Sequence, residues 1–329
     1  MTKEYRAAIV GTGAALPDRV LTNFDLEKMV DTSDEWIHTR TGIRERRIAE
    51  KGVCTSDLAA AASRKAIEAA GLRPEDITLI IVATITPDHI FPCTAANLQT
   101  KIGAVNAGGF DLSAACSGFV YALNMAADHV KSDPKRCALV VGADILTKFI
   151  DWTDRTSCIL FGDGAGAVVV RAVDDGRGLL SMEMGMDGTG ASLMQIPAGG
   201  SVLPPSEETI RDRKHFVVLR GREVFKFAVT KMADLVTDAL KDCGLTINDV
   251  KLIVPHQVNL RILAYAAERL GISMDKIYCN IERYGNTTAA SIPIALDEAV
   301  RAGKIERNDI IVFVAFGAGL GWASCAMRW

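Results

Sequence analysis

The chain has 329 residues, 49% of them hydrophobic and 23% charged, with a formal net charge of −3. That composition marks an ordinary globular protein able to bury a large core, and without a lysine-rich or arginine-rich tail nucleic acid is not an expected partner. No apolar stretch reaches the roughly 18 residues that a membrane-spanning helix needs, and the eight cysteines (54, 93, 116, 137, 158, 243, 279 and 325) form no C-x-x-C pair, so neither a disulfide framework nor a zinc or other metal site is expected.

The N-terminus, "MTKEYRAAIVGTG", begins polar and runs straight into a strand pattern, with no apolar core or cleavage site of a signal peptide. A cytoplasmic protein is expected. The stretch "GTGAALP" (11–17) imitates a dinucleotide-binding turn, but it lacks the third glycine, and Leu16-Pro17 interrupts the helix that a pyrophosphate would need. No nicotinamide or other cofactor is expected.

Residues 55–70, "TSDLAAAASRKAIEAA", read as a helix, and 71–81, "GLRPEDITLII", as a turn and a buried strand. At 110–119, "FDLSAACSGF", one cysteine stands among the smallest side chains, between an apolar run and a helix-like run. Cysteine packs as a small hydrophobe, so Cys116 alone reads as core. Its context points elsewhere: a thiol at a strand-to-helix turn lies where free N–H groups and the helix dipole favour thiolate, and a nucleophile on such an elbow recurs in acyl transfer. Ala114, Ala115, Ser117 and Gly118 leave room for a reactant to approach. Further on, the polar, glycine-bearing and proline-bearing stretch 185–220 reads as an excursion over the surface.

The second half repeats the first. "GLRPEDITLII" at 71 matches "GLTINDVKLIV" at 244, an offset of 173 residues, and the same offset aligns helix 55–70 with 228–243, strand 138–143 with 311–316, and the Cys116 turn with 287–300. The apolar runs are rich in Val and Ile and do not alternate, as expected where both faces of a sheet are covered. A duplicated α/β unit follows, divided as 1–174 and 175–329. Duplication brings equivalent strand ends together, and there the second half offers "PHQVNLRI", with His256 just past a strand, and "RYGNTTAAS", with Asn286 just before a helix. His256 alone reads as a structural histidine and Asn286 as a helix cap or turn residue, with Thr287 or Thr288 able to cap equally well. Together with Cys116 they form a nucleophile and two hydrogen-bonding groups. "FGAGLGW" near the C-terminus adds a glycine-rich loop that is either a tight turn or a set of oxyanion donors.

These residues carry a resemblance. "DTSDEWIHTRTGIRERR", "DLSAACSGF", "FGDGAGAVVV", "GREVFKFAV", "VPHQVNLRI", "RYGNTTAASIP" and "FGAGLGW" occur in order along essentially the whole chain. The sequence resembles the β-ketoacyl-acyl carrier protein synthase III family of thiolase-like condensing enzymes. The resemblance implies a duplicated five-layered αβαβα fold, a homodimer, and a catalytic site of Cys116, His256 and Asn286, with backbone N–H groups of Cys116 and Ala318 as oxyanion donors. It implies condensation of a short acyl-CoA, acetyl-CoA above all, with malonyl-acyl carrier protein through an acyl-cysteine. Trp36, Arg40 and Arg155 are similar to residues that hold CoA, although "DEWI" also reads as core packing around Trp36. Phe91 matches a position that crosses the dimer interface and closes the partner's acyl tunnel. Ala318, Val258 and Gly321 depart from residues common in the family and bear on the oxyanion loop and the pocket width.

In "IRDRKHFVVLRGREVFKF" (210–227) basic residues outnumber acids: Arg211, Arg213, Lys214, Arg220, Arg222 and Lys226, with Arg261 expected nearby. Arg220, Arg222, Lys226 and Arg261 form a dock for an acidic carrier protein or else a solvated face. Four rivals remain. A 3-hydroxy-3-methylglutaryl-CoA synthase would want a catalytic carboxylate, a non-catalytic partner subunit would lack Cys116, a condensing or acyl-transfer enzyme of secondary metabolism would share the same motifs, and a thiol hydrolase is the fourth.

Overall fold

The computed structural model describes residues 5–329. The first four residues, with which the polar N-terminal start begins, lie outside the described part.

Two mixed sheets form the frame. In the first, the strand order is Arg6–Ala15, Gly164–Val173, Cys137–Asp144, Leu79–Ala83, Gly108–Leu112. The second runs Val250–Pro255, Ile310–Gly317, Gly321–Arg328, Gly178–Met186. Read from the other end, these correspond to the first four strands of sheet one, with the same parallel and antiparallel pairings. The Gly108–Leu112 edge strand has no counterpart strand; in the second half a single parallel bridge, Ile253 to Ile277, stands nearby.

The strands that sequence reads as continuous apolar runs are buried on both faces; all eight residues of Cys137–Asp144 are buried. Between the sheets lie the helices Gly118–Ser132 and Ser291–Arg301, whose Phe119, Leu123, Ile292 and Leu296 join Ile81 and Val140 of one sheet and Val254 and Phe313 of the other in one core. The helices Thr55–Ala69 and Thr94–Ile102 cover the outer face of sheet one, and Gly221–Lys241 and Leu260–Leu270 that of sheet two. The result is the expected five layers, helix, sheet, helix, sheet, helix. Among the described residues no helix is long and apolar enough to cross a membrane.

The offset of 173 persists in the backbone. The single 3₁₀ turns Ala115–Ser117 and Thr288–Ala290 are related by it, as are the helix starts Gly118 and Ser291 and the strands Cys137–Asp144 and Ile310–Gly317. Each elbow carries a non-glycine residue in the left-handed region, Ala115 at φ 45° and Thr288 at φ 51°. Such a residue costs roughly 1–2 kcal/mol, so both turns are held by their surroundings. Gly142 shows how tightly: a Cβ there would lie 2.2 Å from the Ala289 carbonyl oxygen.

Candidate functional site

Cys116 sits in the 3₁₀ turn between the Gly108–Leu112 strand and the Gly118–Ser132 helix and is 4% exposed. Burial first, and the Asp144 carboxyl second, push its thiol from an ordinary 9.0 up to about 12. This corrects the expectation of a favoured thiolate. A helix N-terminus supplies about 0.3–1 kcal/mol, whereas a rise of that size corresponds to roughly 4 kcal/mol against ionisation. At rest Cys116 is the thiol.

His256 follows the Val250–Pro255 strand, and its backbone N–H continues the ladder to Val314 O at 2.8 Å. The ring is buried edge-on to Phe316, with centroids 6.0 Å apart, and burial lowers its pKa to about 3. The imidazole is therefore neutral. Nδ1 lies 2.7 Å from Ser291 Oγ, which already accepts from the Gln257 backbone N–H at 3.4 Å. Among the bonds of the described residues, Nδ1 is the only acceptor for the Ser291 hydroxyl. Donation from Ser291 to Nδ1 leaves the ring proton on Nε2, making that nitrogen a donor.

Asn286 is clamped to the other half of the molecule. Its N–H donates to Leu160 O at 2.8 Å and its carbonyl accepts from Gly162 N at 3.1 Å. Its side-chain oxygen accepts from Thr288 N at 2.9 Å, the turn-forming role that sequence allowed. With the oxygen so engaged, the NH₂ group is the end left to donate.

The structure brings these three residues to one cavity of about 530 Å³, its mouth included, lined also by Gly317, Ala318 and Val258. Gly317 packs on Cys116: a Cβ there would lie 2.7 Å from the Cys116 backbone nitrogen. Leu193, Met194 and Leu219 form a wall of the cavity, so the 185–220 stretch does more than cross the surface. A second cavity shares Met194 and Ala318 and is lined by Ile85 and Val217 and by Ala114 and Ala115 of the approach to Cys116. A larger cleft between Ala127, Leu179 and Arg328 contains none of the three groups.

Outside the cavity, the Trp36 ring is flanked by the guanidinium groups of Arg40 at 4.9 Å and Arg155 at 5.3 Å. Trp36 is half-buried and packs partly on a core cluster, so both sequence readings of it have a counterpart. Arg220, Arg222, Lys226 and Arg261 are all exposed, and none takes part in an ion pair among the described residues, whereas Arg213 is bound to Asp151 and Arg211 lies near Asp212. Val224, on the same helix as Arg222 and Lys226, lines the cavity. Phe91 lies apart from the cavity of its own chain and is 85% exposed beside Ile90 at 83%. Sequence reasoning missed Ser291, Thr288 and Asp144; the 173-residue offset, which lays Thr288 on Ala115, was the one signal available for the turn.

Models of 3-oxoacyl-(acyl-carrier-protein) synthase III match residues 110–188, and models of its C-terminal part match residues 240–329. The chain is 54% identical to the β-ketoacyl-(acyl-carrier-protein) synthase III of Caldanaerobacter subterraneus over 329 residues, covering 100% of this chain and 99% of that one. It is similar to the crystal structure of 3-oxoacyl-(acyl-carrier-protein) synthase III from Aquifex aeolicus, at TM-score 0.91 and 44% identity over 99% of this chain and 100% of that one. It is also similar to the priming β-ketosynthase of the R1128 polyketide pathway, at TM-score 0.92 and 38% identity over 100% of this chain and 98% of that one.

Proposed function

The chain belongs to the 3-oxoacyl-(acyl-carrier-protein) synthase III family, the condensing acyltransferases that initiate fatty acid synthesis, and we propose that Cys116, His256 and Asn286 carry out its two half-reactions. In the first, Cys116 attacks the thioester of a short acyl-CoA. The proton that its thiol gives up is the one that the departing CoA sulfur takes up, and an acyl-cysteine remains. Backbone N–H groups of Cys116 and Ala318 hold the tetrahedral oxyanion; the close packing of Gly317 on Cys116 supports that assignment.

In the second, malonyl-acyl carrier protein enters and its carboxylate leaves as CO₂. The thioester oxygen becomes an enolate, facing His256 Nε2–H and the Asn286 NH₂. Two neutral donors suit this step because they gain most when charge moves from carboxylate to enolate, and they bind the starting carboxylate no better than its product. The carbanion then attacks the acyl-cysteine, the second tetrahedral oxyanion collapses, and Cys116 is expelled as thiolate and takes up one proton from water to restore the thiol as the β-ketoacyl carrier protein forms.

Trp36, Arg40 and Arg155 bind CoA, the aromatic face and the guanidinium groups stacking on adenine or pairing with phosphate. Arg220, Arg222, Lys226 and Arg261, exposed and without anionic partners, dock the acidic carrier protein near the cavity mouth. The active unit is a homodimer. Its support is the unpaired edge strand Gly108–Leu112, with Phe110 exposed on it and Ile90 and Phe91 projecting beside it; an apolar open edge of this kind is a template for a second copy. Eight free cysteines suit a reducing cytoplasm.

One observation carries the reading: a buried thiol, a neutral imidazole and an amide with its donor end free share one cavity. Release of labelled CO₂ from malonyl-acyl carrier protein tests it. The release is expected only when acyl-CoA is present and Cys116 is intact; acyl-CoA hydrolysis without release would contradict the reading.

A further inference from the structure

Asp144 ends the Cys137–Asp144 strand and is 0% exposed, yet among the described residues no cation pairs with it. Every recorded partner donates. Oδ1 accepts from Thr84 Oγ1 and Ile85 N, both at 2.9 Å, and from Thr86 N at 3.1 Å and Thr86 Oγ1 at 2.9 Å. Oδ2 accepts from the Thr288 hydroxyl in a close contact and from Ala289 N at 3.4 Å. One oxygen thus belongs to the first half of the fold and the other to the turn of the second half that carries Asn286.

A buried carboxylate without a cation is costly, and this one holds a strained turn. Thr288 is the left-handed residue of its elbow, at φ 51°, and its backbone N–H is the group that fixes the Asn286 side-chain oxygen at 2.9 Å. The equivalent elbow residue in the first half, Ala115, has no hydroxyl; only the turn that presents Asn286 is tied down in this way. We propose that Asp144 is a positioning residue for the decarboxylation step, holding the Asn286 amide donor toward the enolate through Thr288 and Ala289. The inference rests on the reading that Asn286 donates to that enolate. Burial pushes the Asp144 carboxyl above the usual carboxylate range, and the hydrogen bonds it accepts from Thr288, Ile85, Thr86 and Thr84 act against that rise.

Two half-reactions measured separately test this: acyl-enzyme formation from acetyl-CoA, and CO₂ release from malonyl-acyl carrier protein. Thr288→Val removes the tether and keeps the shape. Decarboxylation is expected to fall about 10-fold to 100-fold, less than the loss of a donor outright, with acyl transfer within about twofold of wild type. Thr288→Ser, which restores the hydroxyl, is expected to recover decarboxylation. Asp144→Asn places an NH₂ against two donors, so decarboxylation falls while acyl transfer is retained. Decarboxylation at the wild-type rate in Thr288→Val, or an equal loss of both half-reactions, would overturn the proposal. Asn286→Ala separates the two levels. If it decarboxylates normally, the parent reading fails; if it does not while Thr288→Val does, only the tether fails. The Thr288 pair does not depend on Asp144→Asn folding.

Discussion

Gly317 lies so close to Cys116 that a Cβ on it would come within 2.7 Å of the Cys116 backbone nitrogen. The end of the Ile310–Gly317 strand is thereby laid against the turn that starts the Gly118–Ser132 helix, and Ala318, the next residue, lines the same cavity as Cys116. Gly317→Ala must push the two apart. The expected cost is about 1–3 kcal/mol of stability, and acyl transfer falls by up to about 100-fold because the oxyanion donors move by a fraction of an ångström or more. Urea midpoints and the rate of acyl-enzyme formation check both.

Ser291 fixes which nitrogen of His256 carries the proton, through the 2.7 Å contact to Nδ1. Ser291→Ala removes that preference and leaves a buried ring nitrogen without its partner. Malonyl decarboxylation is expected to fall about tenfold, with acyl transfer to Cys116 unaffected. Equal loss of both steps would show that Ser291 serves only the packing.

Burial holds His256 at a pKa of about 3, against an ordinary 6.5. The decarboxylation rate should therefore show no acidic limb near 6.5. The sign for stability follows from linkage: the folded state resists the proton, so the contribution of the neutral ring is fully present above 6.5 and drains away as pH falls from there toward 3. Comparison of urea midpoints of wild type and His256→Ala across that window reads the effect, and a difference independent of pH would contradict it. Cys116 behaves oppositely. Its raised pKa contributes stability below about 9 that is lost as pH climbs toward 12, and its alkylation rate should still be rising at pH 9.

Much of this was legible in sequence. Strands covered on both faces lose alternation, so Cys137–Asp144 and Ile310–Gly317 stand out as apolar blocks, and their 173-residue spacing exposes the duplication. Cys116 and His256 are legible because each follows a strand end, and Asn286 because it precedes a helix in the segment that the 173-residue offset lays on the Cys116 turn. What escaped was partnership across the two halves. Asp144 reads as the polar end of a strand, and nothing in "GNTTAAS" says that the Thr288 hydroxyl crosses to it. The preference for thiolate failed because a short helix-start motif announces its dipole but not its burial. The wall formed by Leu193, Met194 and Leu219 escaped because scattered apolar residues in a polar stretch have no period to detect.

Phe91 is 85% exposed on its own chain, and we propose, from the family position it matches, that it closes the partner's acyl tunnel. A rigid ring closing that tunnel favours short primers, since packed interiors do not yield by several methylenes without strain. Across acetyl-, butyryl-, octanoyl- and dodecanoyl-CoA, wild type is expected to prefer the short chains in kcat/KM and Phe91→Thr to shift toward the long ones. An unchanged profile in the variant would remove Phe91 from the gate.

The division of labour between Cys116 and His256 is tested most directly by intact-protein mass spectrometry after acetyl-CoA is added and malonyl-acyl carrier protein follows. Wild type should gain an acetyl adduct and then lose it, His256→Ala should gain the adduct and retain it with discharge slowed about 10²–10³-fold, and Cys116→Ala should gain none. An adduct on Cys116→Ala, or discharge of His256→Ala at the wild-type rate, would contradict the account.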